Sequence, residues 1–136
     1  MRPAATFLKN MLPQLRAWRH DFHQHPEIAF EEIRTSRVIA ERLESFGLEP
    51  KKNIGRTGVV ATITGTAPGK SNKRKVGLRA DIDALPMNEE GSVSHVSLIP
   101  GRFHGCGHDG HTTMLLVSLY NHYNYSQPLY TNWMCL

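Results

Sequence analysis

The chain has 136 residues, a length that corresponds to one domain. Hydrophobic residues make up 40% of it and charged residues 21%, which excludes a disordered chain and favours a globular protein. The formal net charge is +4, and much of the excess comes from one short basic stretch at residues 70–75.

Two amphipathic helices are predicted first. Apolar residues recur at spacings of three and four over residues 5–25, and Pro26 ends that pattern. Pro13 lies within it and suits a first turn, so we place the true start there. A second helix is predicted over residues 32–46, with Gly47 as the left-handed residue that ends it. Its inward-facing residues are predicted to be Ile33, Ser36, Ile39, Ala40, Leu43 and Phe46.

Two strands are predicted next. Residues 58–64 are short, β-branched and bounded by glycines, and residues 76–80 form a second apolar run. The second run leads directly into Asp81 and Asp83, and α/β proteins build sites where such strands end. Between the strands, residues 65–75 are predicted to form a polar loop. Its basic residues are Lys70, Lys73, Arg74 and Lys75. No aromatic residue interrupts them, so we expect a solvated loop and no nucleic-acid partner.

The last third of the chain changes in character. Residues 87–103 are predicted to be irregular, and a helix is predicted over residues 112–120. Residues 118–136 contain no charged side chain and show neither a helical nor a strand period. They contain Tyr120, Tyr123, Tyr125 and Tyr130, which are all the tyrosines of the chain.

The cysteines and the apolar segments bear on the compartment. Cys106 and Cys135 are too few for a disulfide framework. The start has no continuous apolar segment of the kind found in secretory signals, and no segment has the length needed to span a bilayer. We therefore expect a cytoplasmic protein without a membrane partner, in which a cysteine is a free thiol or a metal ligand.

The chemistry is concentrated in residues 104–111, which contain one cysteine, three histidines and one aspartate. Each of these side chains can bind a divalent metal, and the interleaved glycines let the backbone fold tightly. Cys106 and His108 project to the same side of an extended segment, so they can reach one metal or a neighbouring pair. The alternative is a histidine-rich loop without a ligand role.

An open metal site fits these residues better than a closed structural zinc site. A closed site takes four ligands, and Cys135 stands alone in the tail. Carboxylates are available from Asp81 or Asp83, and Asp83 or Asp109 could orient a ligating imidazole.

The same residues resemble the signature of the M20 peptidase family. The branch they resemble is that of the amidohydrolases, which includes hippurate hydrolase, N-acyl-L-amino acid amidohydrolase and the auxin-conjugate hydrolases. The two long segments are residues 79–86 (RADIDALP) and 104–112 (HGCGHDGHT), and shorter matches lie at residues 23–27, 30–32 and 55–60. The resemblance extends from about Leu15 to Leu116.

The resemblance implies an α/β fold: the N-terminal part of an M20-type catalytic domain, with helices packed on a mixed sheet, truncated before the lid and dimerisation domain. It places Cys106 and His108 on metal-ligand positions and Asp83 on the catalytic acid beside the metals. Asp81 falls where other members have a histidine ligand, so Asp81 and Asp109 are candidates for a ligand or for a residue that orients one. His104 and His111, like Asp109, are expected to pack, hydrogen-bond or shape the loop.

The resemblance also implies partners and cofactors. Two divalent ions, Zn²⁺ or Mn²⁺, would act in the complete enzyme on a small N-acyl or N-aroyl amino acid, and full-length relatives would be homo-oligomers. The family takes its general base from a Glu-Glu pair downstream of the cysteine motif, followed by further histidine ligands. Glu89 and Glu90 precede the motif, so they do not match that pair.

We therefore expect a partial catalytic domain at residues 1–117 and an aberrant, disordered tail at 118–136, as a frameshift or premature stop would produce. The predicted function is a metal-dependent amidohydrolase by ancestry. The chain itself is expected to be an inactive fragment that binds metal at most in part. The alternative is a non-catalytic metal-binding fragment or an interaction module.

Overall fold

The computed structural model describes residues 3–65, 75–125 and 132–135, and it describes side chains for residues 5–65 and 75–122. Its elements in chain order are α1 (Pro3–Gln24), α2 (Ile33–Ser45), β1 (Lys51–Ile54), β2 (Gly58–Ile63), β3 (Lys75–Leu78), α3 (His108–Tyr125) and β4 (Asn132–Cys135). The loop predicted to be basic falls mostly at residues 66–74, outside the described residues. None of the helices in these ranges is both long and apolar enough to cross a membrane.

Helix α1 continues through Pro13, so the prediction that this proline marks the helix start is wrong. Pro13 is exposed, and its missing N–H removes one hydrogen bond of the helix. The turns before it are held by packing, since the ring of Phe7 stacks on that of Tyr120 in α3 with centroids 5.9 Å apart. The predicted end is confirmed, because the helix stops at Gln24, just before the residue that precedes Pro26.

Helix α2 is bounded by a charge at its start and a glycine at its end. The carboxylate of Glu27 accepts the backbone N–H groups of Arg34 at 2.9 Å and Thr35 at 2.7 Å, which satisfies two donors of the first turn. Gly47 has a φ of 86°, which confirms the predicted left-handed end. Ile33 was predicted to face inward and is 69% exposed, because Thr35 turns inward in this first turn instead.

The sheet is mixed, as predicted. Its strand order is β1-β2-β4-β3, with β2 antiparallel to both β1 and β4, and β3 parallel to β4. Strands β2 and β3 lie where the sequence predicts them, within two residues at each end. Strand β1 was not predicted.

The final residues differ from expectation. Helix α3 runs to Tyr125, and β4 lies between β2 and β3. Of the residues predicted to form a disordered tail, 118–136, residues 118–125 are helical and residues 132–135 form a strand, while residues 126–131 and 136 lie outside the described ones. The division of the chain after residue 117 stays a prediction.

One apolar core joins the three helices to β2. It contains the predicted inward-facing side chains of α2, namely Ile39, Ala40, Leu43 and Phe46. The remaining members are Trp18, Phe22, Leu48, Val59, Ala61, Ile63, Leu116 and Leu119. Ser36, also predicted to face inward, is half-buried, and its hydroxyl donates a hydrogen bond to the carbonyl of Thr57 before β2. This core fixes α3 against α1 and α2, and the first residue of α3 is His108.

Candidate metal site

Asp83 lies in a non-helical segment that its neighbours hold on both sides. The N–H of Ala84 donates to the carbonyl of Glu27 at 2.7 Å. Leu85 and Phe103 exchange two backbone hydrogen bonds, at 2.9 and 3.0 Å. These bonds fix the direction of the segment after β3 has ended, so the carboxylate of Asp83 projects from a defined backbone.

His108 is the first residue of α3, which begins four residues earlier than predicted. A turn precedes it, in which the N–H of Gly107 donates to the carbonyl of His104 at 3.1 Å. Gly107 has a φ of 86°, which favours glycine at this position. The segment from Cys106 to His108 is therefore not extended. Cys106 and His108 therefore lack the extended backbone on which their predicted common side depended.

The turn brings His108 onto Asp83. The Nδ1 of His108 lies 2.9 Å from Oδ1 of Asp83 and 3.0 Å from its carbonyl oxygen. The backbone carbonyl oxygen of Asp83 has no proton and can only accept a hydrogen bond. Nδ1 therefore carries a proton and donates it. The other ring nitrogen, Nε2, then has the lone pair that a metal requires.

A cavity of about 630 Å³ adjoins this pair, between α2, α3 and β2. Its wall contains Asp81, Asp83 and His108 together with the apolar side chains of the core helices. Phe30, Thr57 and Arg79 also line it. A mostly apolar cavity with a few converging polar groups is the usual form of a small-molecule site.

The other two predicted ligands are placed less tightly. The carboxylate of Asp81 is exposed on the cavity wall, where Arg79 donates two hydrogen bonds to its Oδ1 at 3.1 and 2.8 Å. Cys106 is an exposed free thiol in the turn before α3, and it is not among the described residues that line the cavity. The ligand role of Cys106 stays a prediction.

The remaining polar residues of the motif lie elsewhere. Asp109 is 1% exposed, and its Oδ2 accepts from His23 at 2.9 Å and from Arg19 at 3.1 Å. His104 is also buried, and burial lowers its pKa, so its ring is neutral at pH 7. His111 is exposed, with its ring centroid 5.5 Å from that of His108. Packing and loop-shaping roles, predicted for these residues, are consistent with these positions.

The donor set fits a divalent metal in part. The imidazole of His108, whose Nδ1 proton is engaged by Asp83, offers a lone pair at Nε2, and a second carboxylate, that of Asp81, lines the same cavity. In the part of the chain that the structure describes, no group of three or more histidine, cysteine, aspartate or glutamate side chains lies close enough to hold a metal. These residues would thus supply part of a coordination sphere.

Sequence reasoning did not assign roles to His23 and Glu89. His23 appeared only within a matched segment, and Glu89 only as half of a misplaced acidic pair. The Nε2 of His23 lies 3.1 Å from Oε1 of Glu89, and both side chains are buried. One signal was available for His23, since it follows Phe22 at the buried end of the apolar stripe of α1.

Comparison with known proteins assigns the family. The model of peptidase family M20/M25/M40 matches residues 77–124. Hippurate hydrolase of Campylobacter jejuni is 45% identical over 100 residues, which cover 74% of this chain and 25% of that protein. N-acyl-L-amino acid amidohydrolase of Geobacillus stearothermophilus is 46% identical over 100 residues, covering 74% of this chain and 26% of that protein.

A solved structure gives the same result. It is that of the Bacillus subtilis YXEP protein, described as a dinuclear metal binding peptidase from the M20 family. It is 32% identical with a TM-score of 0.84, over 93% of this chain and 35% of that chain. The chain thus spans about a quarter of the length of the curated relatives named above, and about a third of this structure. On the agreement of sequence, fold and motif, the chain belongs to the M20 peptidase family, and its partial coverage fits the N-terminal portion of the family's amidohydrolases.

Proposed function

We propose that this chain forms the first part of a metal-dependent site that hydrolyses the amide bond of N-acyl or N-aroyl amino acids. The observation that carries the proposal is the contact of 2.9 Å between His108 Nδ1 and Asp83 Oδ1 at a largely apolar cavity. The names of the hippurate and N-acyl-amino acid hydrolases similar to this chain support the substrate class. An apolar cavity wall suits an acyl or aroyl group.

Each residue has a distinct role in this proposal. His108 binds a metal through Nε2, because Nδ1 is engaged by Asp83. Asp83 holds the ring in that tautomer and raises the basicity of Nε2, so it acts through His108. Cys106, exposed two residues before His108, is the second proposed ligand, and Asp81 lies on the same cavity wall as a candidate for a further one.

When bound in such a site, divalent metal ions supply polarisation of the amide carbonyl and a water of lowered pKa. Zn²⁺ and Mn²⁺ are both proposed, since a cysteine ligand favours zinc and carboxylates suit manganese.

Metal binding tests this proposal. The chain, purified without a histidine tag, is titrated with Zn²⁺ by calorimetry, alongside His108→Asn. We expect His108→Asn to bind at least about tenfold more weakly, because loss of even an outer partner of a ligand costs about 10–100-fold. His111→Asn is the matched control, since that exposed ring lies near His108 without touching Asp83. Equal affinity of the chain and His108→Asn would contradict the proposal.

We further propose that the 136-residue chain does not turn over substrate by itself. A two-ion site needs several ligands and a base that accepts a proton from water, and such a base contributes about 10²–10⁴-fold to the rate. In the described residues, no group of three or more histidine, cysteine, aspartate or glutamate side chains lies close enough to hold a metal. The test is release of glycine from hippurate with added Zn²⁺ or Mn²⁺. Metal-dependent turnover that disappears in Cys106→Ser would show that the chain is active.

The location of the protein and its assembly belong to the proposal as well. Cytoplasmic location and homo-oligomers of full-length relatives, both predicted from the sequence, stay predictions.

A further inference from the structure

A second group of polar side chains is joined by hydrogen bonds, and we call it the His23 cluster: Arg19, His23, Glu89 and Asp109. His23 is its centre. Its Nδ1 lies 2.9 Å from Oδ2 of Asp109, and its Nε2 lies 3.1 Å from Oε1 of Glu89. The side chains of His23, Glu89 and Asp109 are 8%, 7% and 0% exposed. A buried ring with a carboxylate on each nitrogen is held in one orientation.

The protonation of the His23 cluster follows from its hydrogen bonds. Burial raises the pKa of Glu89, but the N–H of Ser97 and the contact with His23 outweigh burial and hold the pKa below 4.5. Burial likewise raises the pKa of Asp109, and His23, the N–H of Gly110 and Arg19 hold it below 3.8. Both groups are therefore carboxylates at neutral pH, and their oxygens accept hydrogen bonds.

The His23 cluster joins three separate parts of the chain. His23 lies near the end of α1, Glu89 lies in the irregular segment that precedes the motif, and Asp109 is the second residue of α3. Glu89 also accepts the N–H of Ser97 at 2.6 Å, which anchors its segment. The rings of His95 and Phe103 pack edge-on against His23, with centroids 5.2 and 5.5 Å away. These contacts leave the imidazole little freedom to rotate.

Asp109 connects this arrangement to the metal site, because the residue before it is His108. The first turn of α3 is thus held from two sides, by Asp83 at the ring of His108 and by His23 and Arg19 at Asp109. We propose that His23 is a positioning residue of the site: through Asp109 it fixes the first turn of α3 and hence the direction of the His108 imidazole. This inference rests on the proposed function, in which His108 binds the metal.

The donor pattern suggests a specific pair of variants. In His23→Gln the amide can donate to Asp109, but its carbonyl oxygen then faces the carboxylate of Glu89, and two acceptors repel. Adding Glu89→Gln turns that contact into an N–H···O bond, while the carbonyl oxygen of the second new amide still accepts from Ser97. The single variant should disturb α3, and the double variant should restore it. His25→Gln is the matched control. His25 lies two residues after His23, and its Nδ1 contacts the backbone carbonyl and the carboxylate of Asp21.

The first measurement needs no metal. In ¹⁵N-histidine-labelled chain, NMR shifts report which nitrogen of His108 carries the proton, and circular dichroism reports the fold. We expect one Nδ1–H form in the unmodified chain and in His25→Gln. We expect a mixture of both tautomers in His23→Gln, and recovery of the Nδ1–H form in His23→Gln/Glu89→Gln. An unchanged His108 signal in folded His23→Gln would overturn the proposal.

The second measurement uses Co²⁺ alone, whose visible spectrum reports bound thiolate and imidazole. Folded His23→Gln should bind Co²⁺ about tenfold more weakly than the unmodified chain, and the double variant should recover most of that loss. If His23→Gln does not fold, Arg19→Gln replaces it, because this half-exposed side chain contributes one contact to Asp109. Arg19→Gln with an unchanged His108 signal and Co²⁺ affinity would then overturn the proposal. If the unmodified chain binds Co²⁺ independently of His108, the proposed function fails, and the tautomer result still decides the role of His23.

Discussion

His108 and Asp109 are neighbours in the chain, yet their side chains lie in two different regions of the molecule. The side chain of Asp109 is fully buried in the His23 cluster, where its Oδ2 contacts Arg19 and His23. His108 is only partly buried beside a cavity, and Asp83 engages one of its two nitrogens. The difference indicates a division of labour within one helical turn. The His23 cluster holds the backbone of this turn, and the imidazole of His108 keeps a lone pair on Nε2 for a metal.

The largest effect should come from disrupting the His23 cluster. His23→Leu leaves two buried carboxylates facing an apolar side chain, and breaking a buried pair in this way costs about 3–5 kcal/mol. We expect a loss of that size in the free energy of unfolding, measured by urea titration. His25→Gln should cost about 1 kcal/mol or less, because a single hydrogen bond of a partly exposed ring is worth about that much. Equal losses in the two variants would show that the His23 cluster does not stabilise the fold.

A change at the contact between Asp83 and His108 should weaken metal binding and leave the fold nearly intact. Asp83→Asn keeps an acceptor for Nδ1 of His108 but removes the negative charge. We expect the affinity for Zn²⁺ to fall about tenfold. The free energy of unfolding should change by less than about 1 kcal/mol, since the Asp83 side chain is 31% exposed. Calorimetry of the variant measures its affinity for Zn²⁺, and urea titration of the same preparation measures its free energy of unfolding. A variant that loses stability without losing affinity would reverse the proposed division.

The smallest effect should be seen in the response to acid. The folded pKa values of Glu89 and Asp109 lie below their ordinary values of 4.5 and 3.8. Their contribution to stability is therefore fully present above about pH 4.5 and is lost as the pH falls through the folded values. Glu89→Gln removes one of these two groups, so its stability should fall less steeply below pH 4.5. Parallel curves of the urea midpoint against pH, for the unmodified chain and Glu89→Gln, would contradict the assigned role of Glu89.

The parts that could be predicted from the sequence are those with local signals. The ends of α2 and β2 follow from apolar periodicity and bounding glycines, and the core positions of α2 follow from the same stripe. Strand β1 has no such signal, since all four of its residues are exposed and it exists by pairing with β2. The prediction that α1 starts at Pro13 is wrong because packing of Phe7 on α3 outweighs the loss of one helical hydrogen bond.

The site divides in the same way. His108 could be named because residues 104–111 place ligand-type side chains close together in sequence, and Asp83 because it follows a predicted strand. The contact between His23 and Asp109 could not be predicted from the sequence, because it joins residues 86 positions apart. The turn at Gly107 also changed the geometry, since a left-handed residue directs Cys106 and His108 differently from an extended segment.

The position of β4 bears on the order in which the molecule can form. Its partners are β2, which begins 74 residues earlier, and β3, which begins 57 residues earlier. During synthesis, both flanking strands leave the ribosome well before the strand that joins them. Contacts between such distant residues slow folding, because a long loop must close before they form. Until then β2 and β3 present unpaired edges, so a chaperone that binds extended segments would have its main opportunity in that interval.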